Sequence, residues 1–393
     1  MTPEPLRPLD GVRVLDLSRA LAGPYCTMML ADAGADVLKV EPPSGDDSRS
    51  WLPMVEHDGE QHSAYFLSAN RGKRSVRLDL KSAEGAERLR TLAARADVLV
   101  ENYRPGLMDR LGLGLEQLRE ANSRLVTLSI TGFGAGGPDG QRPGFDQIIQ
   151  AEAGLMSLVG EPAGEPTRVG LPIADILAGM FGAYGVSLAL LERDRTGRGG
   201  AVDTSLLGAV VGIHAFHGEG WLGAGIAPRR TGNRHPSIAP YGVFHTGDGD
   251  LVIAVGSESL WRRFAAVVDL DPDRPDIATN TRRVSVAEDL EKEINEALAD
   301  RTAEDVLAAL LEAGVPAGRI RSLPEVYEWE QVHQQGLVHT MTHPLLGEVS
   351  VPGSPLKMGG VPMVARAAPP LLGDHDDRLD ELWAEDPETK VGR

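Results

Sequence analysis

The sequence is short of cysteine and of positive charge. A single cysteine, Cys26, occurs among 393 residues, so no intramolecular disulfide is possible and a reducing cytoplasm fits. The formal net charge of −18 argues against general binding to nucleic acid or to an anionic membrane, because both need a basic face. The N-terminal stretch 'MTPEPLRPLDG' lacks the features of a signal peptide, and no uninterrupted apolar run reaches the length of a membrane span. We therefore expect a cytoplasmic protein with no nucleic-acid partner and no membrane partner.

Three motif classes are also missing. The turn after the first predicted strand, 'SRALAGP', contains one glycine, Gly23, where a dinucleotide fingerprint needs three, although Glu41 ends the second strand as that fingerprint requires. No G-x-S-x-G elbow of a serine hydrolase occurs. His339 and His343 fall in a strand pattern, which would separate their imidazoles by about 13 Å at about 3.3 Å per residue. Nicotinamide or flavin, serine-hydrolase and metal sites are therefore disfavoured.

The N-terminal third alternates strand and helix patterns. Runs rich in β-branched and apolar residues occur at 11–18, 35–43, 75–80, 97–102 and 125–133, with helical patterns between them. Strand–helix–strand units of about 30 residues predict a parallel sheet. We expect an α/β fold with a Rossmann-like, doubly wound large domain.

The composition changes after about residue 222. A stretch rich in Gly and Pro, 220–242, predicts a loop, and a hairpin with a Gly-Asp-Gly-Asp turn and three helices follow it. A further β hairpin is predicted after residue 330. We place a large domain at 1–222, a small α+β domain at 223–329 and a C-terminal segment returning to the large domain at 330–393.

One acidic residue, Asp175, lies among small and apolar residues at the start of a predicted helix that continues to about Arg193. Asp is a common helix-start residue because its oxygen accepts hydrogen bonds from free backbone N–H groups. Carboxylates also act as nucleophiles on activated acyl groups, and a helix N-terminus favours the ionised form. Gly179, Gly182 and Gly185 would permit either close helix packing or close approach of a ligand. Local sequence leaves a structural and a catalytic interpretation equally open.

A basic stretch, 'NRGKRSVRLDLK', is the other notable feature. Five cations fall within 11 positions at 71–81. A solvated polar edge is the simpler interpretation of such a run, and a local site for an anionic ligand is the alternative.

Several segments together resemble the class III CoA-transferases of the CaiB/BaiF type. The match covers nearly the whole chain in order, and the resembling segments are 'PLDGVRVLDLSRALAGPYCTMMLADAGADVLKVEPPSGDDSR', 'YFLSANRGKRSVRLDLK', 'DVLVENYRPGLMDRLGLG', 'ITGFGAGGP', 'PGFDQIIQAEAGLMSLVG', 'LPIADILAGMFGAYGVSLALLERDRTGRG', 'GVPAGRI' and 'PPLLGDH'. The resemblance implies a homodimer of two subunits interlocked as rings. It also implies that Asp175 is the nucleophile, which passes through acyl anhydrides and an aspartyl–CoA thioester. No metal or resident cofactor is implied, with CoA entering as a substrate.

The resemblance further implies which residues contact CoA. Cations of the basic stretch would meet its phosphates, which favours the ligand-site interpretation of that stretch. One departure concerns the adenosine end, because Pro42 and Pro43 stand where some relatives have a basic residue. The implied CoA-binding residues are Ala20, Leu21, Ala22, Arg71, Gly72, Lys73, Arg74, Ser75, Asn102, Tyr103, Arg104, Arg110, Phe145 and Asp146.

The alternative within the family is an α-methylacyl-CoA racemase, and outside it a CoA-binding protein without turnover. Such racemases have a histidine where this chain has Phe145, and a phenyl ring cannot move a proton. The loop around 'TGNRHPSIAPYG' resembles the branch that handles dicarboxylates, with acceptors such as glutarate and succinyl-CoA as a donor. There Arg234, His235 and Ser237 are predicted to meet the substrate, with Arg229 and Arg230 nearby, and a flexible basic loop is an equally good interpretation.

Overall fold

The computed structural model describes residues 6–365, 367–379 and 381–383, which form two compact units. The first unit contains the described residues of 1–155, 169–225 and 330–393, and the second contains 156–168 and 226–329. The sequence-based boundaries placed 156–168 in the large domain, whereas the structure assigns this segment to the second unit. Arg230 explains the assignment, since its guanidinium donates to the carbonyl oxygens of Glu161 and Gly164.

The strands are numbered in chain order. They are β1 Arg13–Asp16, β2 Asp36–Glu41, β3 Met54–His57, β4 Glu60–Ser63, β5 Lys73–Arg77, β6 Val98–Glu101, β7 Val126–Thr131, β8 Ala201–Ser205, β9 Tyr241–His245, β10 Asp250–Ala254, β11 Ala317–Arg319, β12 Val338–His343, β13 Gly347–Pro352, β14 Lys357–Met358 and β15 Val361–Pro362.

The helices are numbered in the same way, with short 3₁₀ turns at Asp47–Ser50, Leu155–Ser157 and Asp376–Arg378. They are α1 Ala22–Asp32, α2 Ala64–Ala69, α3 Ala83–Ala93, α4 Leu107–Arg110, α5 Leu115–Ala121, α6 Asp146–Glu152, α7 Ile173–Thr196, α8 Leu206–Gly212, α9 Ala215–Ala224, α10 Glu258–Val267, α11 Asn280–Ser285, α12 Ala287–Leu298, α13 Ala303–Glu312, α14 Leu323–Glu328 and α15 Glu330–Gln334. Helix α9 overlaps the stretch from residue 220 that was predicted as loop.

A six-stranded parallel sheet organises the first unit. Its strand order is β5-β2-β1-β6-β7-β8, with Val14 opposite Val37 on one side and Val98 on the other. This is the 3-2-1-4-5-6 order of a doubly wound sheet, whose order reverses between β1 and β6. The predicted α/β fold with a parallel sheet is confirmed. In such sheets the crevice at the carboxyl ends of the two reversing strands is the usual ligand site.

Both faces of this sheet are buried, because successive side chains of a strand point to opposite faces. Val14 packs with α1 and α7 in one core, and its neighbour Leu15 packs with α3 and α5 in another. Strands covered on both faces are continuously apolar, which is why the runs of Val, Leu and Ile could be recognised in the sequence.

Helix α7 approaches α1 so closely that two of its glycines have no room for a side chain. A Cβ on Gly179 would lie 2.7 Å from the carbonyl oxygen of Ala22, and one on Gly182 would lie 2.9 Å from the side chain of Leu128 and 3.3 Å from the sulfur of Cys26. The glycines therefore serve helix packing, and Asp175 is held one turn before the contact with the first turn of α1.

The apolar character of α7 has a second implication. With 24 residues and a mean hydropathy of 1.6 over its best window, α7 is long and apolar enough to cross a membrane by length and composition. The expectation that no such segment exists was wrong in this respect. A core helix passes the same test, and α7 packs against α1, α8, β7 and β8.

The second unit has its own core. Antiparallel strands β9, β10 and β11 form a three-stranded sheet, and Leu251 and Ile253 of β10 point to the same face of it. They pack with Trp261 and Phe264 of α10 and with Leu290 of α12. The helices predicted here thus bury their apolar faces against one face of the three-stranded sheet.

We expect Gly179→Ala to destabilise the protein even though Ala is the better helix former. The added methyl group would meet backbone atoms of α1, and such overpacking lowers the free energy of unfolding by about 1–3 kcal/mol. Urea denaturation followed by circular dichroism measures the change. Gly212→Ala in α8 is the matched control, because its Cβ would find only the ring of Phe181 at 3.9 Å. Equal stability of the two variants would contradict the packing role of Gly179.

Candidate active site

Asp175 lies in the first turn of α7, which begins beyond the carboxyl end of β7. The chain leaves β7 at Gly132 and comes back to this position at Gly144. The two glycine backbones are so close there that a Cβ on Gly132 would lie 2.5 Å from the Cα of Gly144. Helix α6 starts two residues later at Asp146. The crossing thereby directs Asp146 toward the start of α7.

Asp146 accepts hydrogen bonds from the first turn of α7. Its Oδ1 accepts from the backbone N–H of Ala174 at 2.7 Å and of Asp175 at 3.3 Å. The side chain predicted to contact CoA therefore acts as a cap supplied from a neighbouring helix. The N-cap residue itself, Pro172, makes no side-chain capping bond.

The pKa of Asp175 is raised to about 7, first by burial and then by the nearby charge of Asp146. This shift runs opposite to the effect expected of a helix start, which favours the ionised form. The physical basis of that effect is absent here, because Asp146 occupies the N–H groups that would otherwise stabilise the anion. Asp175 is therefore a poorly solvated, basic carboxylate when it is ionised, which is the condition of a good oxygen nucleophile.

Tyr65 and Trp51 are site residues that sequence reasoning missed. Burial, followed by the charges of Asp175, Asp146 and Asp46, raises the pKa of Tyr65 to about 12, so its phenol stays protonated near Asp175. The ring of Tyr65 meets Trp51 edge to face, with centroids 4.9 Å apart. A Ser-Ala-Tyr helix start gave no signal of this role, since the approach to Asp175 depends on tertiary structure.

The first turn after β1 is shaped by buried charges. Asp16 accepts from Lys73 Nζ at 2.9 Å, from Thr27 Oγ1 at 2.7 Å and from the side chain of Ser18. Burial acts to raise the pKa of Asp16, but the ammonium groups of Lys73 and Lys39 with these hydrogen bonds outweigh it and hold the pKa at about 2. The carboxylate thus stays ionised inside the protein.

Lys39 extends the same network to the turn itself. Its Nζ donates to the carbonyl oxygen of Ser18 at 2.8 Å and pairs with Asp46 at 2.9 Å. Asp46 in turn accepts from the backbone N–H of Ala20, whose φ of 62° is in the left-handed region that disfavours side chains. The predicted contacts Ala20 and Leu21 therefore lie in a strained turn that buried charges hold in place.

The loop after β6 joins this turn across the point where the strand order reverses. Asn102 Oδ1 accepts from the N–H of Arg19 at 2.9 Å, and Asn102 Nδ2 donates to the Arg19 carbonyl at 2.8 Å. The guanidinium of Arg19 lies over the ring of Tyr103, 5.5 Å from its centroid, and Arg19 Nε is buried without a hydrogen-bond partner among the residues that the structure describes. The structure thus brings Ala20–Ala22 and Asn102–Tyr103 together, and adds Arg19, a cation that sequence reasoning missed.

Two cations of the basic stretch, Lys73 and Arg71, are buried and paired with acids inside the fold. Lys73 is buried and its ammonium donates to Asp16, to the Pro24 carbonyl and to Asn70, so all three of its donors are used. Arg71 is buried in a two-bonded pair with Asp32.

The neighbouring residues of this stretch are occupied as well. Arg74 pairs with Asp36, Ser75 donates to Glu41, and a Cβ on Gly72 would lie 2.3 Å from Ala365. Acids distant in sequence thus pair with the cations of 71–75 inside the fold, and contact of this segment with CoA stays a prediction.

The remaining predicted CoA contacts are accessible. Arg104 and Arg110 are exposed, and the ring of Phe145 is 66% exposed at the start of α6. Arg104 lines a cavity of about 290 Å³ at the carboxyl ends of β6 and β7, together with the acids Glu101 and Asp203. Arg104 is the one cation among its lining residues, which also include the acids Asp109 and Glu116.

The predicted substrate residues belong to the second unit. The guanidinium of Arg234 pairs with Glu288 at 3.1 Å and lies 3.9 Å from Glu291. The ring of His235 stacks on Tyr241 with centroids 5.1 Å apart, and its Nδ1 accepts from the N–H of Ser237. These side chains form one cluster, in which a substrate carboxylate would compete with two acids for Arg234.

We expect Lys73→Met to destabilise the fold strongly. It would leave Asp16 as a buried charge without its ammonium partner, and breaking such a pair typically costs about 3–5 kcal/mol of unfolding free energy. Urea denaturation is the measurement. Lys81→Met in the same stretch is the control, because Lys81 is exposed and should change stability by less than about 0.5 kcal/mol. A Lys73→Met protein of unchanged stability would contradict the buried pairing.

Comparisons with known proteins identify the family of this chain. The model of CoA-transferase family III matches residues 9–376. A mouse protein named succinyl-CoA:glutarate CoA-transferase is 40% identical over 376 residues, 94% of this chain and 85% of its own. A Haloarcula hispanica protein named succinyl-CoA:mesaconate CoA-transferase is 39% identical over 386 residues, 95% of this chain and 96% of its own.

A solved structure gives the same result at the level of the fold. The crystal structure of a CAIB/BAIF family protein from Brucella suis superposes with a TM-score of 0.86 at 36% identity, covering 96% of this chain and 99% of that one. The resemblance found in the sequence is therefore confirmed, and the chain belongs to CoA-transferase family III.

Proposed function

We propose that this protein transfers CoA from an acyl-CoA donor, with succinyl-CoA the first choice, to a small dicarboxylic acid, with Asp175 as the nucleophile. The observation that supports it most is the carboxyl of Asp175, which lies half-buried beside Asp146 at the carboxyl edge of the sheet and has its pKa raised to about 7. A CoA-binding protein without turnover has no need of such a group. The names of the similar glutarate and mesaconate enzymes support the choice of substrates.

The proposed reaction has four balanced steps. The carboxylate of Asp175 attacks the thioester carbonyl, which forms an acyl–aspartyl anhydride and releases CoA thiolate. The thiolate attacks the aspartyl carbonyl, which gives an aspartyl–CoA thioester and the free donor acid. The acceptor carboxylate attacks that thioester and displaces the thiolate again. Attack of the thiolate on the acceptor carbonyl yields the new acyl-CoA and restores Asp175.

The proposed CoA site is the crevice where the strand order reverses. Ala20, Leu21 and Ala22 would line one side and Asn102 and Tyr103 the other, since hydrogen bonds already join these two loops. Arg104 and Arg110 stay proposed phosphate contacts together with the segment 71–75, and Arg19 is added to them, because a guanidinium suits phosphate geometry. Phe145 stays a predicted contact at the start of α6.

The acceptor contacts remain predictions. Arg234, His235 and Ser237 are proposed to bind the second carboxylate of a dicarboxylic acceptor, for which charge-assisted hydrogen bonds are well suited. Binding would exchange the pairing of Arg234 with Glu288 for pairing with substrate. CoA is the only coenzyme that the proposal requires, and it enters as a substrate.

We also propose a homodimer of interlocked subunits in the cytoplasm. Large apolar side chains are exposed along α7 and α9 of the first unit. Exposed apolar patches of this size mark interaction surfaces in soluble proteins. A second copy of the chain is the proposed occupant. The exposed side chains are Met180, Phe181, Tyr184, Leu188, Leu191, Phe216, Trp221 and Leu222.

The first test is covalent labelling of Asp175. Mixing the protein with succinyl-CoA and trapping with borohydride or hydroxylamine should modify the peptide that contains Asp175, as seen by intact-protein and peptide mass spectrometry. Asp175→Asn should lose the adduct and at least about 1,000-fold of transferase activity, while CoA still protects it thermally. Glu152→Gln, at an exposed carboxyl on α6, serves as the control that keeps the adduct.

Two other outcomes would replace the proposal. Solvent deuterium incorporated at the α-carbon of a branched acyl-CoA, without an adduct, would indicate a racemase. CoA binding with neither an adduct nor exchange, across succinyl-, acetyl- and longer acyl-CoA donors, would indicate a protein that binds CoA without turnover.

The second test is the pH dependence of the first half-reaction. The nucleophile is the ionised carboxylate, and its pKa of about 7 means that the rate of adduct formation should rise with pH and level off above about 7. Below that pH the rate should fall by about tenfold per unit. Single-turnover rates of adduct formation with the donor, measured between pH 5 and 9, test this dependence. A rate that stays flat down to pH 5 would show that Asp175 is ionised with an ordinary pKa.

A further inference from the structure

The first turn of a helix normally offers its free N–H groups to an acid in that turn. Such N–H groups have no intrahelical partner, and a side-chain oxygen that accepts from them is stabilised as an anion. In α7 the N–H of Ile173 is taken by the Leu171 carbonyl, and those of Ala174 and Asp175 are taken by Asp146. Within the described part of the chain, the carboxyl of Asp175 accepts no hydrogen bond of its own.

We propose that Asp146 is a positioning residue that caps α7 in place of Asp175 and so keeps the Asp175 carboxyl free of the helix N–H groups and directed into the site. The cap is supplied by α6, because the N-cap residue Pro172 has no side-chain oxygen. The role differs from the CoA contact predicted for Asp146, and it goes beyond the assignment of Asp175 as the nucleophile.

Asp146 is itself held rigidly. Its Oδ2 accepts from Gln150 Nε2 at 2.7 Å, and Gln150 is completely buried. The Gln150 Oε1 accepts from the N–H of Val169 at 2.9 Å, and its Nε2 also reaches the Leu171 carbonyl at 3.3 Å. Gln150 therefore ties α6 both to the cap and to the segment that leads into α7. An isolated surface acid would not need this support.

The ionisable groups around Asp175 leave Asp146 as the main charge that acts on it. Tyr65 on α2 responds to the charges of Asp175, Asp146 and Asp46, and Asp46 precedes the 3₁₀ turn Asp47–Ser50. Helix α1 has Tyr25, Cys26 and Asp32, of which Asp32 is paired with Arg71. On α6, Glu152 is paired with Arg142, while β7 and α8 have no ionisable side chain.

The cap has a chemical consequence that rests on the proposed function. A carboxylate bound by two N–H groups is a weaker base and a weaker nucleophile than one that is not. With Asp146 in their place, the Asp175 oxygens can attack a carbonyl, and the negative charge of Asp146 further raises the proton affinity of Asp175. Asp146 would thereby increase the nucleophilicity of Asp175 without touching the substrate.

The test is a titration of Asp175 in the free protein, which does not depend on turnover. Protein labelled with ¹³C-carboxyl aspartate is titrated by NMR, and the Asp175 signal is assigned by its loss in Asp175→Asn. In wild type the midpoint is expected at about 7. In Asp146→Asn, which keeps an oxygen for the N–H of Ala174 but removes the charge, we expect the midpoint to fall by at least about one pH unit, a tenfold change in the acid constant.

Gln150→Met is the matched control. It loosens the same segment but keeps the charge of Asp146 and its bonds to α7. We expect a lower melting temperature, because the support of Asp146 is lost. The titration midpoint of Asp175 should stay within about 0.3 pH units of wild type, because the charge of Asp146 is retained. A shift in Gln150→Met as large as that in Asp146→Asn, or no shift in Asp146→Asn, would overturn the proposal. If Asp146→Asn does not fold, Asp146→Ser provides a neutral acceptor for the same measurement.

Kinetics then separate this proposal from the proposed function. If wild type forms the Asp175 adduct, Asp146→Asn should move the acid limb of adduct formation to lower pH and reduce the plateau rate, with KM for the donor nearly unchanged. If wild type forms no adduct, the proposed function fails, yet the NMR midpoints still decide whether Asp146 sets the ionisation of Asp175. Equal loss of rate at every pH, with an unmoved acid limb, would assign Asp146 a purely structural role.

Discussion

The ionised carboxylate of Asp16 is the interaction on which the ligand end of the sheet depends. A buried charge is tolerated only when partners replace its water shell, and here those partners come from β5, from α1 and from the turn after β1. The cost of burying Asp16 therefore dictates that these three elements meet. Lys39 and Asp46 continue the same chain of charges to Ala20, so the shape of the crevice follows from the electrostatics beneath it.

A second constraint on the site comes from glycines, whose lack of a side chain permits close backbone contacts. Gly179 and Gly182 let α7 lie against α1 at backbone distance, and the crossing of Gly132 with Gly144 brings α6 to the start of α7. Together these contacts fix where the first turn of α7 begins. The Asp175 carboxyl is placed by packing, while burial and then the charge of Asp146 raise its pKa. Position and reactivity thus have separate physical origins in this site.

How far the sequence could predict this arrangement varied with the range of the interactions. The strands of the parallel sheet were recognisable, because strands buried on both faces are continuously apolar. Asp175 could be singled out because an acid among small apolar residues at a helix start is locally unusual. The family resemblance then gave it a role that the local pattern left open.

Long-range pairing could not be predicted in the same way. The pairing of Arg71 and Lys73 could not be foreseen because their partners, Asp32 and Asp16, are 39 and 57 residues away, and a basic run does not reveal which acids neutralise it. The raised pKa of Asp175 was missed for the same reason, since its cap comes from a residue 29 positions earlier. Tyr65 and Arg19 gave no local signal, because tertiary packing alone brings them to the site.

The position of Cys26 has a consequence for chemical selectivity. Its sulfur is buried under Gly182, and burial followed by the charge of Asp16 raises the pKa of the thiol well above its usual range. It is the one cysteine of the chain, so at neutral pH the protein offers no thiolate of its own to an activated acyl group. An anhydride formed at Asp175 would therefore meet no thiolate other than that of the CoA it had just released, so acylation of a cysteine would not compete with transfer.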